Sequence, residues 1–106
     1  MLLAIDCGNT NTVFSIWDGE QFIATWRTST EWQRTADQYY VWLSTLMHFQ
    51  KIDVEITEVI ISSTVPRVVF NLRVFADRYF QVRFNERKWR PELMTGIRSE
   101  IFQRFY

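Results

Sequence analysis

Leu2-Leu3-Ala4-Ile5-Asp6-Cys7-Gly8-Asn9-Thr10-Asn11-Thr12-Val13-Phe14-Ser15-Ile16-Trp17 decides the fold. Four apolar residues in a row, ending in an aspartate, read as a short buried strand over Leu2–Asp6. Small hydrogen-bonding residues follow at once and read as a tight turn. A second apolar run then leads away as a strand over Thr12–Trp17. A carboxylate, a glycine and several amide and hydroxyl groups thus gather at the mouth of a hairpin.

Working outward, Asp18-Gly19 is a strong turn signal, because glycine tolerates positive φ at little cost. Gln21–Thr28 alternates and is rich in β-formers, so it reads as a third strand antiparallel to the second. Ser29–Arg34 is polar and loop-like. Thr35-Ala36-Asp37-Gln38 matches a capping box, with Thr35 as N-cap and Gln38 three residues on. Tyr39, Leu43, Leu46 and Met47 recur at helical spacing, which predicts an amphipathic helix over Ala36–Gln50. Glu58–Ser63, centred on Val59-Ile60-Ile61, reads as a fourth strand that Pro66 stops. Val65-Pro66 opens a second helix whose apolar face is Val68, Val69, Leu72, Phe75, Ala76 and Tyr79. Phe80–Phe84 reads as a fifth strand and Glu92–Tyr106 as a short helix interrupted near Gly96. The order β-β-β-α-β-α-(β) predicts an α/β fold with a mixed sheet covered by helices.

The 106-residue chain is 47% apolar and 17% aromatic, which supports one packed domain rather than a disordered chain. Five Trp and nine Phe are many for this length, so some are expected on a surface that faces a partner. A single cysteine, Cys7, excludes a disulfide framework and a thiolate metal cluster. No apolar run is long enough for a signal peptide or a membrane span. A reducing cytoplasm is the expected compartment, and no membrane partner is expected. Net charge is zero, yet acidic residues dominate up to Pro66 and basic ones from Arg67 onward. The basic residues are spread out, so two mutually attracting halves are favoured over a nucleic-acid surface.

The opening loop has two readings. Gly8 lets backbone approach an anion without a Cβ in the way. Thr10, Asn11 and Thr12 offer donors. Asp6 repels phosphate but can hold a hydrated Mg²⁺ that neutralises it. The alternative is an Asx-rich turn that only closes a hairpin. It is not a Walker motif, which places a lysine before Ser or Thr and leads into a helix.

On these residues the chain resembles the N-terminal part of type III pantothenate kinases, a family of ribonuclease H-like, actin-like ATPases. The likeness rests on Leu3-Ala4-Ile5-Asp6-Cys7-Gly8-Asn9-Thr10-Asn11-Thr12, on Arg34-Thr35-Ala36-Asp37, and on Ile60-Ile61-Ser62-Ser63-Thr64-Val65-Pro66. It reaches to about Arg83. The resemblance implies ATP-dependent phosphorylation of pantothenate, the first step of coenzyme A synthesis. It implies a phosphate loop formed by Asp6, Cys7, Gly8, Asn9, Thr10, Asn11, Thr12 and Val13. Asp6 would stand near a Mg²⁺ ion and reach it through water. Ser62, Ser63 and Thr64 would line the cleft, although ordinary capping at a strand end explains them equally well. Full-length members are expected to be homodimers and to use a monovalent cation, K⁺ or NH₄⁺.

Two family segments are absent: a Gly-x-Asp-Arg that supplies the catalytic base, and a second Asp-x-Gly-Thr phosphate loop that goes with the monovalent cation. No catalytic residue is therefore assigned. Asp37 and His48 read as a helix-dipole partner and a surface or partly buried residue, and Cys7 as a small buried or turn residue. The expected organisation is a truncated ATPase domain over 1–84 followed by a divergent tail over 85–106. Half a cleft would bind nucleotide weakly at best. The alternatives are a non-catalytic regulator of transcription, like the Bvg accessory factors of this family, or a nucleotide-binding remnant.

Overall fold

The computed structural model describes residues 1–80. Six elements follow one another: β1 (Leu2–Cys7), β2 (Asn11–Trp17), β3 (Phe22–Ser29), α1 (Ala36–Phe49), β4 (Glu58–Ser63) and α2 (Pro66–Phe80). The sheet order is β3-β2-β1-β4. β1 pairs antiparallel with β2 and parallel with β4, so the apolar first run is a central strand buried on both faces. This mixed sheet, with helices after the third and fourth strands, is the arrangement expected from the order of elements, and it is consistent with the ribonuclease H-like, actin-like fold that the resemblance implies. The expected fifth strand and tail helix lie outside the described residues, except that Phe80 ends α2 rather than beginning a strand.

Local chemistry explains the joints. Asp18 Oδ1 accepts hydrogen bonds from the amides of Glu20 and Gln21, both at 2.8 Å, and Gly19 takes φ 109°. A bulge between Ile16 and Trp17 then brings Trp17 opposite Phe22. At α1 the capping box is complete. The Gln38 amide donates to Thr35 Oγ1 at 3.2 Å, and the Thr35 amide donates to Gln38 Oε1 at 2.8 Å. Past the end of α1, Lys51 takes φ 57° and its amide donates to the His48 carbonyl.

Strand alternation sorts β1 into two faces. Leu3, Ile5 and Cys7 join Phe14 and Ile16 against Tyr39 and Leu43 of α1 and Val68, Leu72 and Phe75 of α2. Phe14 is the hub: its ring lies 5.1 Å from Trp42, 5.8 Å from Tyr39 and 6.2 Å from Phe75. Both helices therefore cover one face. Leu2, Ala4, Val13, Phe22 and Ile60 form a separate cluster on the other face, capped by the Trp17–Phe22 contact. Among the described residues that second cluster draws only on strands. No described helix is long and apolar enough to cross a membrane.

Candidate functional site

The expected phosphate loop sits at the C-terminal end of β1. Cys7 pairs with Thr12, and the Gly8 amide donates to the Asn11 carbonyl at 2.9 Å, leaving Asn9 and Thr10 exposed at the tip. Neither of those two residues takes a left-handed backbone, since Lys51 alone does so among the described non-glycine residues. Gly8 is likewise outside that region, and a Cβ built on it would meet the Asn11 carbonyl oxygen at 3.5 Å, an ordinary contact.

Alternation divides the eight loop residues. Asp6 lies beyond Leu2 and Ala4 on the face opposite the helices, with Val13 of β2 and Ser62 of β4 as its cross-strand neighbours. Its side is half-open to solvent. Cys7 and Thr12 turn toward the helices and are fully buried. There the Thr12 hydroxyl donates to Cys7 Sγ at 3.3 Å, and the thiol donates to the Gly8 carbonyl at 3.7 Å. Val13 is buried in the strand cluster. The groups that remain accessible around the loop are Asp6, Gly8, Asn9, Thr10 and Asn11.

The Ser62-Ser63-Thr64 segment reaches the same end of the sheet, because β4 runs parallel to β1. Ser62 stands beside Asp6 and Ser63 beside Cys7. The Thr64 amide donates to the Cys7 carbonyl at 3.1 Å, which ties the start of α2 to the end of β1. Ser63 Oγ accepts from the Val65 amide at 2.9 Å, a local turn bond that leads into Pro66. Of the three, Ser62 shares the face of Asp6, Thr64 is exposed, and the Ser63 hydroxyl is spent on the turn.

One residue at this end carried no local signal in the sequence. Thr30, just past β3, donates its hydroxyl proton to the Gly8 carbonyl at 2.8 Å and lies 2.9 Å from Thr12 Oγ1. Its amide donates to the Thr10 carbonyl at 2.8 Å. The hydroxyl contacts span 22 residues to Gly8 and 18 to Thr12, so periodicity could not find them.

Asp37 and His48 stand apart from the loop. Asp37 accepts hydrogen bonds from Tyr79 and from Arg78, the latter at 2.9 Å. These partners sit in the last turns of α2, about 20 Å along the helix from Pro66 at 1.5 Å per residue. The Tyr79 hydroxyl and then Arg78 hold the Asp37 carboxyl below its ordinary range, and Asp37 raises the Tyr79 phenol. Tyr79 also stacks on Tyr40 with centroids 4.0 Å apart. This is a clasp between two helices. His48 is exposed near the far end of α1, at the edge of a cavity of about 560 Å³ lined also by Leu43, Met47, Asp53 and Phe80.

The site therefore offers one half-open carboxylate, a glycine-bearing hairpin tip and a neighbouring serine at the carboxyl ends of β1 and β4. Among the described residues no three His, Cys, Asp or Glu side chains converge to hold a metal by themselves. Comparison with known proteins bears on what such a place does. A sequence model described as "Type III pantothenate kinase" matches residues 2–101. Proteins named type III pantothenate kinase are similar to this chain over 83 residues: 87% identical in Roseobacter denitrificans, 80% in Dinoroseobacter shibae and 77% in Ruegeria sp.. Each match covers 78% of this chain and 32% of the relative, so the chain spans about a third of the length of these curated relatives.

Proposed function

The chain belongs to the type III pantothenate kinase family, and from that premise we propose that its Asp6–Val13 hairpin binds the phosphates of ATP, as one side of a cleft in which pantothenate is phosphorylated. The observation that carries this reading is the placement of the hairpin. It caps the C-terminal end of the central strand, beside the parallel neighbour that brings Ser62 next to Asp6. Ligands of open α/β sheets gather at the carboxyl ends of the strands, where the order of strands changes direction.

The residues present fit a divided task. Gly8 and the exposed tip leave room for phosphate oxygens to meet backbone and side-chain donors. Asp6 would hold a Mg²⁺ ion through a water, since no group of three metal-binding side chains gathers among the described residues. That ion would supply charge neutralisation. A phosphoryl group in flight needs stabilisation from several sides. The hairpin provides one side, and no residue of this chain is proposed as the catalytic base. Binding of the monovalent cation (K⁺ or NH₄⁺) belongs with the family's second phosphate loop. Pantothenate as acceptor, a homodimeric assembly and a cytoplasmic location are parts of the same proposal. So is the division into an ATPase domain over 1–84 and a divergent segment over 85–106. The 83-residue extent of the identities supports that boundary, whereas the family match itself runs on to residue 101.

Titration calorimetry with Mg-ATP, with adenosine as the control, tests the core of the reading. Phosphate recognition predicts heat with Mg-ATP and little with adenosine. No heat from Mg-ATP up to millimolar ligand overturns it.

A further inference from the structure

The hairpin between β1 and β2 joins its last paired residues, Cys7 and Thr12, through the four-residue loop Gly8–Asn11. Inside that loop the Gly8 amide donates to the Asn11 carbonyl. Thr30, just past the end of β3, adds contacts from outside the hairpin. Its amide holds the Thr10 carbonyl at 2.8 Å, and its hydroxyl reaches both flanks of the turn, Gly8 O at 2.8 Å and Thr12 Oγ1 at 2.9 Å.

Proton accounting makes the hydroxyl specific. The Thr30 hydroxyl donates to the Gly8 carbonyl, and across the Thr12–Thr30 contact either hydroxyl can be the donor. The Thr12 hydroxyl can also turn its proton to Cys7 Sγ. A side chain of the same shape without the hydroxyl removes a donor from the Gly8 carbonyl and a partner from the fully buried Thr12 hydroxyl. We propose that Thr30 is a positioning residue: its hydroxyl, delivered from the end of β3, fixes the shape of the Gly8–Thr12 turn and so presents the tip to an anion. The consequence for nucleotide rests on the phosphate-binding reading above; the clamp itself does not.

The test compares wild type, Thr30→Val and Thr30→Ser in the whole chain. Valine keeps the shape and the backbone bond but removes the hydroxyl. Serine restores the hydroxyl. Amide hydrogen exchange is read across the chain, and Mg-ATP affinity is read by calorimetry. The clamp predicts that Thr30→Val speeds exchange at Asn9–Thr12 by about tenfold or more, while the amides of β1 and β4 stay within twofold. Thr30→Ser returns the tip to within about threefold of wild type, and Mg-ATP affinity follows the same order. Unchanged exchange at the tip overturns the proposal. A uniform rise across the sheet overturns it too, since Thr30 would then merely stabilise the fold. A loosened tip with unaltered Mg-ATP affinity removes the positioning role. If wild type binds no Mg-ATP while the tip responds as expected, the clamp stands and the nucleotide reading falls.

Discussion

Replacing Gly8 by alanine separates the two meanings that its position can have. In one, glycine is there because the hairpin demands it. In the other, it is there because an anion must come close. The structure argues against the first. Gly8 is not in the left-handed region, and the nearest atom to an added methyl is the Asn11 carbonyl oxygen at 3.5 Å. Alanine therefore fits without strain. It also restricts the unfolded chain, which stabilises a compatible site by about 0.4–1 kcal/mol. Gly8→Ala is expected to leave stability unchanged or raise it by up to about 1 kcal/mol, a Tm increase of no more than about 4–8 °C. Binding should move the other way. Position 8 follows Asp6 at strand spacing, so its side chain would emerge on the accessible side of the turn. A methyl there displaces an anion from the nearest backbone donor. One hydrogen bond to a charged group is worth about 1.5–3 kcal/mol, or roughly ten- to hundredfold in affinity. Urea unfolding and Mg-ATP calorimetry on the same two proteins read both quantities. A destabilisation above about 1 kcal/mol shows that the turn itself needs glycine. An affinity within twofold of wild type shows that nothing approaches there. Either result refutes the reasoning.

Two further outcomes concern the helix-covered face. The Tyr39 hydroxyl is buried at 1% exposure with no partner among the described residues, and burial pushes its pKa up. Tyr39→Phe removes a polar group that costs about 1–3 kcal/mol to leave unpaired, so it should be neutral or stabilising in urea unfolding; a loss of 1 kcal/mol or more would mean that the hydroxyl is hydrogen-bonded. The Asp37–Tyr79–Arg78 clasp should respond to pH at both extremes. Asp37 is held low, so its contribution is present above the ordinary carboxylate range and is lost as pH falls through its depressed value. Tyr79 is held high, so its contribution is present below the ordinary phenol range and is lost as pH rises through its raised value. NMR titration of the Tyr79 ring should show that value falling back in Asp37→Asn; an unmoved titration would dismiss the clasp. Asp37 and Arg78 are exposed and Tyr79 is only half-buried, so the effect on stability is small.

Local rules carried most of the fold. The apolar run Leu2–Ile5 and the alternation around Phe14 define strands because burial on one or two faces writes itself into neighbouring positions. Strand β4 falls on the expected Glu58–Ser63, and the other elements shift by only a residue or so at their ends. Thr35 and Gln38 marked the start of α1 because a capping box is a short-range bond pair. The turn after Cys7 was legible for the same reason, as small polar residues that follow a strand at once. What stayed hidden joins distant segments. Nothing near Thr30 says that its hydroxyl closes on Gly8, and nothing near Asp37 names Arg78 and Tyr79. The alternation of β1 also did not reveal which face the helices cover, since Leu2 and Leu3 are equally apolar.

The pairing of β1 with two different neighbours sets an order of events in folding. Its antiparallel partner β2 is joined to it by the hairpin and can zip from the turn. Its parallel partner matches Leu2 to Glu58, so that pairing must wait for a loop of more than fifty residues to close. Long closures of this kind are slow compared with hairpin formation. Until β4 arrives, the three-stranded meander exposes the β1 backbone edge with Leu3 and Ile5 still uncovered. That interval is when the chain is most prone to pair with another copy of itself. Aggregation during refolding should therefore track the rate at which β4 docks rather than the final stability of the sheet.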